Sequence, residues 1–528
     1  MKRILYFSTC LCLLIFWSSC RKDFNFSASK GNLVFSRDTV YLDTVFTNIG
    51  SSTYNLKVYN KSNEDIIIPT LRLAQGQNSN YRLNVDGLTG EGPIAGKEFE
   101  NVELLAKDSM YIFIETTIDI QDLVTSETQF LYTDAIEFDT GENQQKVELV
   151  TLVKDAVFIY PQRFIDNQTG EYVIETLTFD VDGDGMDEET TIQGRFLTPS
   201  ELTFTNEKPY VVYGYAAVDE NETLTVEAGT RVHFHANSGL LITNGASLQI
   251  NGLPSSDPEL LENEVIFEGD RLEPLFEDVP GQWQTVWLFN GSTNNSINHL
   301  TIKNSTIGVL SDGNMDDPSK LTITNSQIYN SSNFGILGRG TSIYGENVVI
   351  NRSGQSSFAG TYGGVYNFVH STIANYWTNS FRQFPALLLN NFVVDEDNTT
   401  FTNDLLEANF TNCIVYGNDN PEMILDKDND AAFNFKFTNC LIRFNDPNNN
   451  FSGSQYDFED TNLYENVSFN NDPEFLDPVN NMLQIPDGSP ADGAAMPFGI
   501  LFTDILNTPR GNPADLGAYE SIEFEEED

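Results

Sequence analysis

The chain has 528 residues and is 40% hydrophobic and 12% aromatic, enough apolar material for more than one core. It carries 77 acidic residues against 28 basic ones, a formal net charge of −49. A field of that sign repels nucleic acid and anionic membrane surfaces, which excludes nucleic-acid partners and leaves basic partners and divalent cations as the attracted species.

Residues 1–20 open with MKR, continue with the apolar run ILYFSTCLCLLIFW and end in small residues before Cys20. That order reads as a secretory signal, too short for a membrane span. The cysteine after small residues resembles the lipobox of bacterial lipoproteins. The resemblance implies that Cys20 is acylated and becomes the first residue of the mature chain. Acyl chains would then anchor the protein to the outer membrane or cell surface, with the periplasmic face as the alternative. Residues 21–32 form a polar tether. From 33 to 159 the text is strand-like, with apolar and polar residues alternating in NLKVY and KVELV, and an antiparallel β-sandwich is expected. Its phrases DTVFTNIGS, LKVYNKSNEDIII and AKDSMYIFIE resemble Ig-like modules of Bacteroidetes lipoproteins, which implies a spacing or binding module.

Residues 160–201 read as a linker that contains FDVDGDGMDEET. Asp180, Asp182 and Asp184 alternate, and Gly185 permits a sharp turn, so several carboxylates can converge on one hard cation. Thr191 stands where an EF-hand has its bidentate Glu, and Glu188 or Glu189 is expected to complete the set. A structural Ca2+, clipping the domains together, is the one cofactor expected.

Residues 202–471 repeat themselves. LTIKNSTI at Leu300 returns as LTITNSQI at Leu321, and FTNC at Phe410 returns at Phe437. Aligning these phrases puts Asn304, Asn325, Arg352, His370, Asn412 and Asn439 in one column and Ser305, Ser326, Ser353, Ser371, Cys413 and Cys440 in the next. The spacing of 42 residues between His370 and Asn412 reads as two turns. A repeat this short cannot bury its own apolar face, but stacked copies can, and a solenoid of about ten coils is expected. Asparagines at a bend would hydrogen-bond along the stack. Coils about 4.8 Å apart hold Cβ atoms beyond the roughly 3.8 Å of a disulfide, so Cys413 and Cys440 are expected as free, packed thiols.

ENETLTVEAGTRVHFHANSGLLITNGASLQINGLP and PGQWQTVWLFNGSTNNSINHLTIKNS resemble the opening coils of right-handed parallel β-helix proteins of the pectate-lyase-like fold. Residues 472–528, with GSPADGAA and ADLGAYES, resemble the C-terminal segment of many bacterial β-helix proteins. That likeness implies a cap over the open end of the stack, followed by an acidic tail. The fold class is therefore all-β: an N-terminal Ig-like β-sandwich, then a right-handed parallel β-helix with a C-terminal capping segment.

The β-helix class includes pectate lyases and polygalacturonases, which place clustered acidic residues on the outer face of their strands. The repeat phrases here contain no Asp, and Glu346 and Glu407 only flank them, so no catalytic residue is assigned. His233 and His235 share a strand face and are expected to pair or pack rather than hold a metal; Trp283 and Trp287 are expected to pack. Tyr376, Trp377 and Arg382 sit in one irregular segment and suit sugar stacking and hydrogen bonding. The sequence points to a lipid-anchored, non-catalytic binding or adhesion protein with glycans or host macromolecules as ligands. A polysaccharide lyase or glycoside hydrolase and a structural envelope component are the alternatives.

Overall fold

The computed structural model describes residues 25–123, 128–166, 170–257, 260–497, 499 and 501–524. Cys20 and the rest of the expected signal lie outside the described residues, as does the end of the acidic tail. The chain divides into two units, 1–155 and 156–528.

The first unit is a β-sandwich. A six-stranded sheet includes Thr39–Phe46, Ile66–Leu73, Gln129–Phe138 and Gln145–Lys154. A four-stranded sheet consists of Val34–Phe35, Tyr54–Tyr59, Tyr81–Val85 and Ser109–Thr116. Alternation decides what each strand buries: Val147, Leu149 and Val153 point inward, as do Leu56, Val58, Ile112 and Ile114 from the other sheet. The pairing is mostly antiparallel, but Thr39–Phe46 runs parallel to Gln145–Lys154.

The second unit is a right-handed parallel β-helix followed by a C-terminal segment that packs against it. Each coil contributes strands to three parallel sheets, here called I, II and III. Sheet I runs through Tyr210–Val212, Arg231–Phe234, Val265–Gly269 and Leu300–Lys303 to Ile414–Gly417 and Leu441–Ile442. Sheet II contains Tyr215–Val218, Gly239–Ile242 and Val286–Leu288, and sheet III contains Thr223–Glu227, Ser247–Asn251 and Asn295–Asn298. The coils stack about ten deep. Their register lines like on like: Ile302, Ile328, Ile350, Ile373, Val415 and Ile442 form one inward ladder of sheet I. Each such side chain contributes roughly 1.5–3 kcal/mol of burial free energy.

The repeated Phe of FTNC has its explanation here. Phe368, Phe410, Phe437 and Tyr464 are successive inward residues of sheet III, and their rings stack at centroid distances of 5.6, 5.0 and 5.7 Å. Gly345 begins the aromatic run, because a Cβ there would meet the Phe368 ring at 2.4 Å.

The stretch 160–201, expected as a linker, is part of the helix. Val157–Ile159 pairs with Tyr210–Val212, and Gly194–Phe196 pairs with Tyr215–Ala217. Between them the hairpin of Thr176–Phe179 and Glu188–Phe196 lays Leu177 and Phe179 against Ala217 and Leu241 on the outside of sheet II. Trp283 and Trp287 separate: Trp283 is in the core, stacked on Phe234, whereas Trp287 packs outside beneath that hairpin.

The expected single column resolves into two corners. His299, Asn325, Asn347, His370, Asn412, Asn439 and Asn466 turn the chain from sheet III to sheet I. Asn304, Asn330 and Arg352 turn it from sheet I toward sheet II. All have positive φ, which asparagine tolerates better than most residues. The near-identical phrases at Leu300 and Leu321 therefore lie on different sheets. The serine column divides likewise: Ser305 and Ser353 belong to the second corner, and Ser326, Ser371, Cys413 and Cys440 to the first. The 42-residue spacing is one long coil, since Asn412 donates to His370 Nε2 at 2.8 Å. Its extra length lies in the segment 376–386 and the hairpin Phe392–Val394/Thr400–Thr402. The corner amides do bond along the stack, Asn347 to Asn325 at 2.9 Å and Asn330 to Asn304 at 2.5 Å. Cys413 and Cys440 are free and buried.

The C-terminal segment covers a side of the helix, not its end. Leu483, Ile485, Ala491, Leu516, Ala518 and Tyr519 pack on Val349, Ala374, Ile414, Tyr416 and Leu441, the outward residues of sheet I. Asn347, Asn351, Asn412 and Asn439 tie it down through hydrogen bonds to Thr503, Pro478, Met496 and Ala494 carbonyls. The last coils are closed instead by Phe444, Phe451, Tyr456 and Phe458, which pack together beside Tyr464. Outward apolar residues explain the choice: left bare, they would form a large exposed patch on sheet I.

Candidate functional site

The acidic loop is the tip of the Thr176–Phe179/Glu188–Phe196 hairpin. Oxygens of Asp180, Asp182, Asp184 and Glu188 lie within 4.8 Å of one another. Backbone amides hold the carboxylates in place: Gly183 and Gly185 donate to Asp180 at 2.6 and 3.0 Å, and Val181 donates to Glu188 at 2.7 Å. Gly183 and Gly185 both have φ near +85°, which a side chain would strain. Glu189 is exposed and outside this cluster, so of the two candidates for completing the set it is Glu188 that joins. The hairpin packs on the first coils of sheet II, so the loop braces the helix unit to which it belongs.

The segment 376–386 does not assemble a ligand site from Tyr376, Trp377 and Arg382. Arg382 is buried and forms a two-pronged ion pair with fully buried Glu422, at 2.6 and 2.8 Å. Its two terminal nitrogens also reach the Phe384 and Asn375 carbonyls and Asn418, and its Nε lies 3.6 Å from Asp419. Burial pushes the Glu422 carboxyl up, against the pull of Arg382. Trp377 is buried with its indole N–H on Ser380, and Tyr376 packs edge-on against Phe475 of the covering segment.

The histidines pair with acids one coil on. His235 Nδ1 lies 2.7 Å from Asp270, a hydrogen bond that raises its pKa. His233 Nδ1 lies 3.4 Å from Glu268, which also meets Lys303 at 2.7 Å on the following coil. Burial opposes ionisation of Glu268, but His233 and Lys303 outweigh it and hold the carboxyl below its ordinary range. This His–Glu–Lys ladder is on the outside of sheet I. Beside it, the insertion between 270 and 282 is anchored by Asn304 on the Glu277 carbonyl and by Arg352 against Asp278.

Sheet III is different. A groove of about 460 Å³ opens on its outer face, lined by Tyr344, Asn367, Val369, Asn409, Thr411, Lys436 and Thr438, with Phe368 at its floor. Tyr344, Asn367, Asn409 and Lys436 are successive rungs of one outward ladder. Asn409 donates to Asn367 at 3.0 Å and to Glu407 at 2.7 Å; Asn367 also donates to Glu407; Tyr344 donates to Glu346 at 2.8 Å. Glu346 and Glu407 are on different coils at different strand positions, each engaged by its own neighbours, so they do not face each other as an acid–base pair. Thr411 and Thr438, in register with Glu346 and Val369, add a second row of hydroxyls beside that ladder. These residues were not singled out from the sequence. The available signal was the slot just before the repeated Phe, which reads Asn367, Asn409 and Lys436.

Comparisons with known proteins add little. No family model and no curated protein matches the chain. Solved structures with some similarity include the catalytic unit of the GH87 alpha-1,3-glucanase from Streptomyces thermodiastaticus strain HF3-3, 10% identical over 74% of this chain and 77% of that one, TM-score 0.20. Dex49A from Penicillium minioluteum is 7% identical over 81% and 82%, TM-score 0.20. The periplasmic chaperone SfaE is 11% identical over 31% and 83%, TM-score 0.15. At such TM-scores none of them bears on activity, and the architecture rests on the strand pairing itself.

Proposed function

We propose that the protein is a non-catalytic binding protein for a linear polysaccharide, held at the cell envelope through an acylated Cys20. The observation that carries this reading is the groove on sheet III. A parallel sheet presents the same strand position once per coil, about every 4.8 Å, so its ladders are repetitive in one direction. The ligand that best fits a repetitive row of amides, hydroxyls and an ammonium group is itself a repetitive polar chain. Asn367, Asn409 and Lys436 would hydrogen-bond sugar hydroxyls, and Tyr344 offers an aromatic face to a pyranose ring. Affinity electrophoresis of the full chain in gels cast with a panel of neutral glucans and mannans tests this. At least one polymer should retard the wild type, and Tyr344→Ala with Asn409→Ala should abolish the retardation. Retardation unchanged in that double variant would overturn the assignment. Release of new reducing or unsaturated ends during incubation would favour the lyase or hydrolase reading instead.

We further assign Asp180, Asp182, Asp184 and Glu188 as ligands of a structural Ca2+, with the acidic loop bracing the hairpin over sheet II. Chelator should lower the melting temperature of the wild type, and Asp182→Ala with Asp184→Ala should remove that sensitivity. A melting temperature indifferent to chelator and to added Ca2+ would refute the site. Metabolic labelling with a radiolabelled fatty acid should mark the wild type and not Cys20→Ser, and an unlabelled wild type would refute the anchor.

A further inference from the structure

The outer face of the four-stranded sheet in the sandwich carries side chains that its fold does not use. Tyr111 and Phe113 alternate along Ser109–Thr116 and so share one face, which here points to solvent. They are 44% and 43% exposed, with ring centroids 6.2 Å apart and planes within 17°. Two exposed, nearly parallel aromatic rings stabilise nothing in the core that smaller polar residues would not. On one side, the neighbouring strand brings Lys57 opposite Tyr111, with its ammonium 5.0 Å from that ring and 5.4 Å from Tyr59. Lys61 sits 4.3 Å from the Tyr59 ring. On the other side, Asn84 is opposite Phe113 and Arg82 is opposite Glu115. A cleft of about 270 Å³ beside Phe113 is lined by Arg82, Asn84, Thr89 and Glu115.

The charge of this face runs against that of the chain. Three cations, Lys57, Lys61 and Arg82, flank the rings against two acids: Glu115 in the cleft, 3.7 Å from Arg82, and exposed Asp86, whose amide donates to the Tyr111 carbonyl at 3.0 Å. The whole chain has 77 acids to 28 bases. At physiological ionic strength the Debye length is about 8 Å, so a ligand on this face responds to these cations more than to distant carboxylates.

We propose that the outer face of this sheet is a second carbohydrate site, specific for a carboxylated polysaccharide: pyranose rings lie on Tyr111 and Phe113, and uronate carboxylates pair with Lys57, Lys61 and Arg82. The chemistry matches part for part. An aromatic face takes the C–H side of a sugar, and ammonium or guanidinium groups at its margin take the carboxylate. The site is independent of the sheet III groove and uses none of its residues.

The test is affinity electrophoresis of the full chain against polygalacturonate, with dextran as the neutral comparator. All the substituted residues are at least partly exposed, so folding is checked simply by an unchanged melting temperature. The wild type should bind polygalacturonate, with affinity falling as salt rises. Tyr111→Ala with Phe113→Ala should weaken it about tenfold, and Lys57→Ala with Lys61→Ala should weaken it and flatten the salt dependence. In a chain that also carries Tyr344→Ala and Asn409→Ala, the Tyr111 and Phe113 substitutions should still weaken polygalacturonate binding by the same factor, which separates the two sites. The proposal is overturned if polygalacturonate is not bound, if dextran is bound as tightly through the same residues, or if only the sheet III variant loses binding.

Discussion

Sheets I and III of the helix are made from the same coils, share the same inward alternation and meet at the same asparagine corner, yet one is covered and the other open. The difference is confined to the outward positions. On the later coils of sheet I these are Val349, Ala374, Ile414, Tyr416 and Leu441, and the C-terminal segment lies over them. On sheet III they are Tyr344, Asn367, Asn409, Thr411 and Lys436, and a groove remains. Inward residues make a coil stack; outward residues decide what each face is for. A solenoid face is thus specified by every second residue of a strand, independently of the core behind it.

Substitutions can break that contrast, beginning with two glutamates. Glu422→Ala would leave Arg382 buried without its partner, and we expect a loss of about 3–5 kcal/mol by denaturant unfolding. Glu407→Ala on open sheet III should cost less than about 1 kcal/mol, because its partners are solvated amides. Beneath the cover, Leu483→Ala removes a side chain packed on sheet I and should cost about 2–4 kcal/mol. Its counterpart Lys436→Ala should be nearly silent in stability while weakening ligand binding. Similar costs on the two faces would show that the segment over sheet I is not a packed cover.

The corner between the two sheets sharpens the contrast through pH. Burial pushes the His370 pKa down to about 3, against about 6.5 in an unfolded chain. A depressed folded value means that the contribution is fully present above pH 6.5 and is lost as pH falls toward 3, because only the unfolded state takes up the proton. The slope for one such group is about 1.4 kcal/mol per pH unit, so about 2 kcal/mol is lost by pH 5. His370→Asn, the residue used at Asn347 and Asn412, should flatten the fall in melting temperature over that window. At the same corner Cys440→Ser should cost only about 1 kcal/mol, read by denaturant unfolding. Ser326 and Ser371 occupy the same corner slot and donate to the carbonyl two residues back, as Cys440 does to Thr438.

What could be read from the sequence was whatever is local. The acidic loop was legible because Asp180, Asp182, Asp184 and Glu188 lie within nine residues, and turn glycines fix their spacing. The repeat was legible, but its register was not. Both kinds of corner take a strand, then a residue that accepts positive φ, and often a small one after it, so the phrases at Leu300 and Leu321 look alike while standing on different sheets. Arg382 among aromatics was misread for a related reason. An arginine awaiting a ligand and an arginine buried on a glutamate have the same local text, and Glu422 is 40 residues away. The groove residues escaped because one comes from each of four coils.

By itself the sequence determined that this chain is all-β, that its second part coils on itself, and that asparagines turn it, since these follow from alternation and backbone preference within a few residues. Only the tertiary structure decided which outer face is closed and which is open. That choice depends on contacts such as Arg510 with Asn347, 163 residues apart, and pairing over such distances is set by stacking register, which no local pattern encodes.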